Sequence, residues 1–323
     1  MLVQLLFGLV LVITANADNE RMDFSDMQGP VEITSPGGNW TPIEEIDDIR
    51  AADDSSEDGV TPGKLATTCK CGWANRSGRR IVNGRLHGPH EYPWIVGVAA
   101  GHMPNRPHCG GTIISLWHVL TAAHCTDGYI SLVVTAGDYD RTGYKVSVTY
   151  RVKKIIDHQN YNKVILKHDI SLLVLATSVQ ESNTIGIACL PRSNQNMDRK
   201  KVRFIGWGAI KYQGPMTDLP QKTDLFVVDI HTCSLAWPHH ITTFPQTQIC
   251  TYAKGTTPCQ GDSGGPVVYL DPLTNRYTLV ALVSFGPWCA DVPIPSVQTS
   301  VAHYLEWIKK NIEATTPGQQ TCS

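Results

Sequence analysis

The stretch Tyr277–Phe285, YTLVALVSF, decides the reading of the fold. It is a short apolar run, rich in aromatic and branched side chains, and turn residues bound it (Asn275 before, Gly286 after). Runs of the same kind recur from Ile81 onward: GTIIS (111–115), SLVVTAG (131–137), DISLLVLA (169–176), VRFIGWG (202–208) and PVVYL (266–270). Gly, Pro and Asn/Asp punctuate them, which is the pattern of an all-β sandwich or barrel. One late segment breaks the pattern. In VAHYLEWIKKNI (301–312), Val301, Leu305, Ile308 and Ile312 share one helical face, with Ser300 expected as the cap.

The part of the chain before Ile81 reads differently. Its first seventeen residues, MLVQLLFGLVLVITANA, form a short apolar run ending in Ala15-Asn16-Ala17. That is the pattern of a secretory signal cleaved after Ala17, too short to span a bilayer. Residues 18–68 carry 13 acids against 3 bases, a balance of −10, while residues 81–323 carry 16 acids and 20 bases, a balance of +4. The acidic stretch has few large apolar residues and cannot offset its chain entropy by burial, so the expectation is disorder. Ten cysteines in a secreted chain imply five disulfides rather than a metal site. Only Cys69 and Cys71 lie close together, and their spacing is one residue short of a zinc pair.

At CQGDSGGPV (259–267) an acid and a hydroxyl stand side by side among glycines. Alone this is a tight turn. A nucleophile requires a base, a group to orient the base, and donors for the developing charge. His124 in LTAAHC (120–125) follows a strand and small residues, with Cys125 able to pin its loop, and Asp169 opens the run DISLLVLA.

With these in view the chain resembles the trypsin/chymotrypsin-like serine proteases. The likeness runs over residues 81–312 in the order IVNG, TAAHC, DISLL, GWG, CQGDSGGP and VSFG. The resemblance implies two six-stranded antiparallel barrels with a C-terminal helix, preceded by the acidic pro-segment. It divides the chain into a signal (1–17), a propeptide with a Cys-containing linker (18–80) and a protease domain (81–323). It assigns Ser263 as nucleophile, His124 as general base and Asp169 as the group that orients His124, the roles of the serine-protease triad. It also makes the backbone N–H groups of Gly261 and Ser263 the oxyanion hole. Activation follows cleavage after Arg80, in the basic pair Arg79-Arg80, and Asp262 then receives the new amine of Ile81. By family position the disulfides are Cys109–Cys125, Cys259–Cys289, Cys233–Cys250 and Cys71–Cys189, which leaves Cys69 and Cys322 for each other.

For the substrate pocket the resemblance points to Thr257, Pro258, Ser284, Gly286, Trp288 and Ser296. Thr257 stands where trypsins carry an aspartate, and a Lys or Arg side chain there would be buried unpaired. Cleavage after apolar residues is the expectation, chymotrypsin-like or elastase-like; Asp291 on a nearby loop keeps trypsin-like cleavage as the alternative. The stretch GDYDRTGYKV (137–146) has Asp138 and Asp140 but lacks a later acidic ligand for calcium, and no cofactor or metal is expected. Sequons stand at Asn39 and Asn75. The entry CKCGW, the junction RIVNG and the lone tail cysteine resemble arthropod venom and salivary serine proteases. Implied partners are protein or peptide substrates, an activating protease and serine protease inhibitors, with no nucleic acid and no membrane, and the enzyme is expected to act as a monomer. The competing reading is a protease homologue that binds partners without catalysis.

Overall fold

The computed structural model describes residues 59–75, 85–86, 88–141, 147–287, 289 and 294–323. The signal, most of the acidic stretch, Asn39, Arg80, Ile81, Trp288 and Asp291 lie outside these residues.

The first barrel is closed by six antiparallel strands: β2 (Ile95–Ala100), β3 (Cys109–Ser115), β4 (His118–Thr121), β5 (Leu132–Ala136), β6 (Val148–Asp157) and β7 (Ser171–Leu175). Their order around the barrel is β2-β3-β4-β7-β6-β5. The second barrel uses β8 (Lys201–Gly206), β9 (Gln221–Val228), β10 (Gln248–Tyr252), β11 (Pro266–Asp271), β12 (Arg276–Phe285) and β13 (Ser296–Ser300). It runs β9-β10-β13-β12-β11-β8 and closes through β8–β9, while the two-residue β1 (Arg85–Leu86) joins β9 at Lys222 and Gln221.

The continuous apolar runs follow from where the strands sit. Every residue of β2, β5 and β7 is buried, because each is covered on both faces. One core fills the first barrel (Val98, Ile113, Val134, Leu173) and another the second (Val202, Phe204, Val267, Val280). A third lies between them and brings together Trp94, Leu120, Ile205, Leu279 and the helix residues Leu305, Ile308 and Ile312. Each such side chain contributes roughly 1.5–3 kcal/mol when fully buried. β6 is the contrast, with Arg151, Lys153 and Lys154 exposed.

The C-terminal helix corrects one expectation. α1 (Ile230–Ala236) is a short helix capped by Asp229, and the late helix α2 is Leu305–Thr315. Ser300 is the last residue of β13, its N–H bonded to Thr247 O at 3.0 Å, and a tight 3-10 turn at Ala302–Tyr304 intervenes. Tyr304 occupies the cap position with no side-chain capping bond, so Ser300 does not cap the helix.

Residues 59–75 are stitched to the barrels by backbone. Gly72 N–H donates to Ile187 O and Tyr277 N–H to Gly72 O, both at 2.7 Å. Arg276 Nη1 donates to Gly59 O and Thr61 O at 3.0 and 2.7 Å. Disulfides Cys71–Cys189 and Cys69–Cys322 hold the same segment. The other three are Cys109–Cys125, Cys233–Cys250 and Cys259–Cys289.

Candidate active site

His124 sits in a 3-10 turn, Ala123–Cys125, directly after β4, and the Cys109–Cys125 bridge pins that turn to β3. Asp169 precedes β7, the strand paired with β4, so barrel closure brings the two side chains together. His124 Nδ1 lies 2.7 Å from Asp169 Oδ2, and the His124 backbone N–H donates to Asp169 Oδ1 at 2.9 Å. Two further groups fix the aspartate: Ser284 Oγ–H donates to Oδ2 at 2.5 Å, and Thr299 Oγ1–H donates to the Asp169 carbonyl at 2.8 Å. The carboxylate is fully buried. Burial alone would raise its pKa, but the His124 charge and three hydrogen bonds, from the His124 ring, the Ser284 hydroxyl and the His124 backbone N–H, hold it below the ordinary value. For His124, burial acts to lower the pKa, and the Asp169 charge and hydrogen bond outweigh it, so the imidazole stays easier to protonate than usual. That pairing fixes the tautomer, leaving Nε2 as the acceptor.

Ser263 stands on the turn from Cys259 to β11. Its carbonyl accepts from Gly110 N–H at 2.8 Å, which ties the turn to β3 beside Cys109. The following residue, Gly264, has φ +71°, and a Cβ there would lie 2.1 Å from Thr121 Oγ1 and 2.9 Å from Ala122 N. Only glycine permits this approach, and it draws Ser263 against the residues leading to His124. Gly261 has φ +91°, with Met216 Cε 2.6 Å from where a Cβ would stand. His124 Nε2 is buried and has no hydrogen-bond partner among the described residues, so the bond from the Ser263 hydroxyl that proton transfer needs is not formed in this structure. Catalytic hydrogen bonds commonly tighten only once substrate is bound.

Asp262 points away from this chemistry. Its carboxylate accepts from Gly208 N–H at 2.7 Å and Cys259 N–H at 2.9 Å, and no cationic side chain faces it among the described residues. Burial pushes its pKa up to about 7 in spite of both backbone bonds.

The expected pocket residues divide. Thr257 is half-buried and Pro258 buried on the segment before the Cys259 turn. Ser296 faces Gly286: a Cβ on Gly286 would lie 3.0 Å from Ser296 Cβ. The Ser296 hydroxyl belongs to a buried neutral set, donating to Thr251 O at 3.2 Å and accepting from Gln298 Nε2 at 2.8 Å. Ser284, near the end of β12 and two residues before Gly286, commits its hydroxyl to Asp169. Sequence reading missed Thr299, Gln298 and the ring wall of Trp237 on Phe285 at 5.2 Å (T-shaped). No local motif marks them: Thr299 and Trp237 act through partners distant in the chain, and Gln298 through Ser296 two residues before it.

Cys109, His124 and Cys125 bring ligand-type atoms within 4.8 Å of one another, but both sulfurs belong to one disulfide and offer no thiolate. At Asn75 the side-chain Nδ2, the atom that would carry a glycan, donates to His90 O at 2.6 Å and Asn183 O at 2.7 Å. A glycosidic bond would remove one of these, so the folded site does not suit the expected sugar. No helix among the described residues is long and apolar enough to cross a membrane.

The model of the Trypsin family matches residues 81–308. Among curated proteins, Venom serine protease 34 of Apis mellifera is 32% identical over 271 residues, covering 80% of this chain and 64% of its own length. The Venom serine protease of Polistes dominula is 33% identical over 250 residues, with 74% of this chain and 87% of that protein covered. The Clotting factor G beta subunit of Tachypleus tridentatus is 33% identical over 253 residues, covering 72% and 79% respectively.

Proposed function

This chain belongs to the trypsin family, and from that premise we propose that it is a secreted serine endopeptidase made as an inactive precursor. The single observation that carries the catalytic reading is the buried Asp169 carboxylate holding His124 Nδ1 at 2.7 Å while Ser284 and the His124 N–H complete its hydrogen bonds. An imidazole oriented in this way presents Nε2 to a hydroxyl. Ser263 attacks the scissile carbonyl as Nε2 takes its proton; the proton then passes to the leaving amine, and water repeats the sequence on the acyl-enzyme. The N–H groups of Gly261 and Ser263 stabilise the oxyanion.

In this reading residues 1–17 direct secretion, 18–80 are the pro-segment and 81–323 the enzyme. Cleavage after Arg80 creates the Ile81 amine, which pairs with Asp262; a buried carboxylate that no cationic side chain faces among the described residues supports that assignment. After cleavage, residues 59–75 stay attached through two disulfides. Thr257 at the pocket base and Ser296 against Gly286 favour small or medium apolar side chains before the scissile bond. Two relatives carry venom in their names, and a venom role is proposed on that ground alone. Substrates are proteins or peptides, and protease inhibitors are the expected regulators.

The second reading, a binding protein on a protease scaffold, draws on the unpartnered His124 Nε2. One experiment separates the two. Secreted protein is cleaved after Arg80 and treated with a serine-directed fluorophosphonate. The catalytic reading expects stoichiometric labelling that Ser263→Ala abolishes. Folded, cleaved protein that takes no label overturns it.

A further inference from the structure

Asp169 follows a residue in a conformation that branched or bulky side chains avoid. His168 has φ +53°, in the left-handed region, where His is tolerated better than most but still needs support. Its support comes from two other parts of the chain. His168 Nδ1 is 2.9 Å from Tyr304 Oη at the start of the C-terminal helix, and its ring stacks on His158 with centroids 4.9 Å apart and planes 15° from parallel. His158, on the loop after β6, meets Tyr304 edge-on at 5.2 Å and Trp307 at 5.4 Å. The backbone follows the same route: His158 N–H donates to Ile170 O at 3.0 Å, and Ile170 N–H to His168 O at 2.9 Å. A third imidazole, His303, lies 4.7 Å from the Tyr304 ring.

We infer that His158 and His168 form an acid-sensitive positioning device for Asp169: the neutral ring stack holds the left-handed turn that presents the carboxylate to His124, and charging the stack releases it. The inference rests on Asp169 being the orienting residue proposed above. The geometry requires neutral rings, because two parallel imidazolium planes about 5 Å apart repel strongly where solvent is thin. The titratable groups that face the pair are His303 and Tyr304 from the helix side and Lys167 from the chain before it. Asn160 N–H bonds His158 Nδ1 at 3.3 Å, and Gln159 bonds Trp307. The carboxylates adjoining in the chain, Asp157 and Asp169, are committed to Thr126 and His124, and among the described residues no carboxylate hydrogen-bonds or ion-pairs with any of the three imidazoles.

Burial, with His168 and His303 nearby, lowers His158 to about 4; burial, His303 and Lys167 lower His168, and burial lowers His303. In the unfolded chain these groups take protons at about 6.5. The stability they lend is therefore complete above that value and is lost as pH falls toward 4.

The test uses the cleaved enzyme and an amide substrate from pH 4.5 to 8.5. At pH 8, His168→Ala lowers kcat about tenfold with KM little changed, since a displaced orienting group costs turnover rather than binding. His168→Asn, short, polar and at ease in the left-handed region, restores most of it. In acid, wild-type log kcat falls more steeply than the one-proton slope of His124, and His168→Asn follows one proton. Unfolding temperature is read in parallel, without turnover: wild type loses about 5 °C more than His158→Asn/His168→Asn between pH 7.5 and 4.5. Equal loss in the two proteins overturns the device even if the chain proves inactive. So does a one-proton slope in wild type, or an Asn variant as impaired as Ala. Inactive wild type with the unequal thermal loss instead refutes the triad reading and leaves the acid-sensitive stack standing.

Discussion

Replacing Asp262 by asparagine in an uncleavable Arg80→Gln precursor isolates the buried charge on which the proposed activation rests. Only 5% of Asp262 is exposed, its carboxylate meets two backbone N–H groups, and burial raises its pKa from 3.8 to about 7. A rise of about three units, at 1.36 kcal/mol each, amounts to about 4 kcal/mol. Because the folded state holds this proton more tightly than the unfolded state, stability from Asp262 is full below 3.8. It falls as pH rises toward 7 and is level above that. Asparagine removes this dependence. Urea unfolding of both precursors from pH 4 to 8 should therefore give a stability difference that changes by up to about 4 kcal/mol, with nearly all of the change below pH 7.5. In a second pair that keeps Arg80, and so can be cleaved, the Ile81 amine is expected to supply the missing cation. Wild type should then regain stability at pH 7.5, and the Asp262→Asn protein should not, in keeping with the about 3–5 kcal/mol typical of a broken buried pair. A flat difference curve in the precursors would mean that the carboxylate carries no burial penalty before cleavage. The proposed trigger would then have no driving force.

Ser284→Ala deletes the hydroxyl that donates to Asp169 Oδ2 in the buried site. A hydrogen bond to a charged group contributes about 1.5–3 kcal/mol, so urea unfolding at pH 8 should register a loss in that range together with a lower kcat. Unchanged stability would show that water replaces the hydroxyl without penalty. Ser296→Gly removes the Cβ that stands against Gly286, both proposed to line the substrate pocket. Peptide libraries varied before the scissile bond should then shift toward Phe and Tyr over Ala by about tenfold or more, the scale set by a methylene-sized change in an apolar pocket. No shift would place the narrowing elsewhere.

The barrels were legible because their strands are covered on both faces, which turns them into uninterrupted branched runs such as Ile95–Ala100 and Ser171–Leu175. The helix was legible in its buried face but not at its start. Val301 is buried like Leu305 and Ile308, so the periodicity runs straight across the tight turn at Ala302–Tyr304 and makes Ser300 look like a cap. Local pattern carries burial well and backbone connectivity poorly. The same division holds at the site. Asp169 and His124 stand in motifs, whereas Ser284 acquires its role only because closure of the second barrel carries its hydroxyl to a carboxylate 115 residues away. The Asn75 triplet reads as a sugar acceptor, and only the fold engages both of its amide hydrogens, one of them 108 residues distant. His158 and His168 likewise look like ordinary surface histidines until Tyr304 and Trp307 close over them. Reacting groups are confined to few residue types and short turns, and so leave a mark in sequence. The groups that hold them are chosen by whichever strand or helix happens to pack behind, so their chemistry is free to vary and becomes visible only in the folded chain.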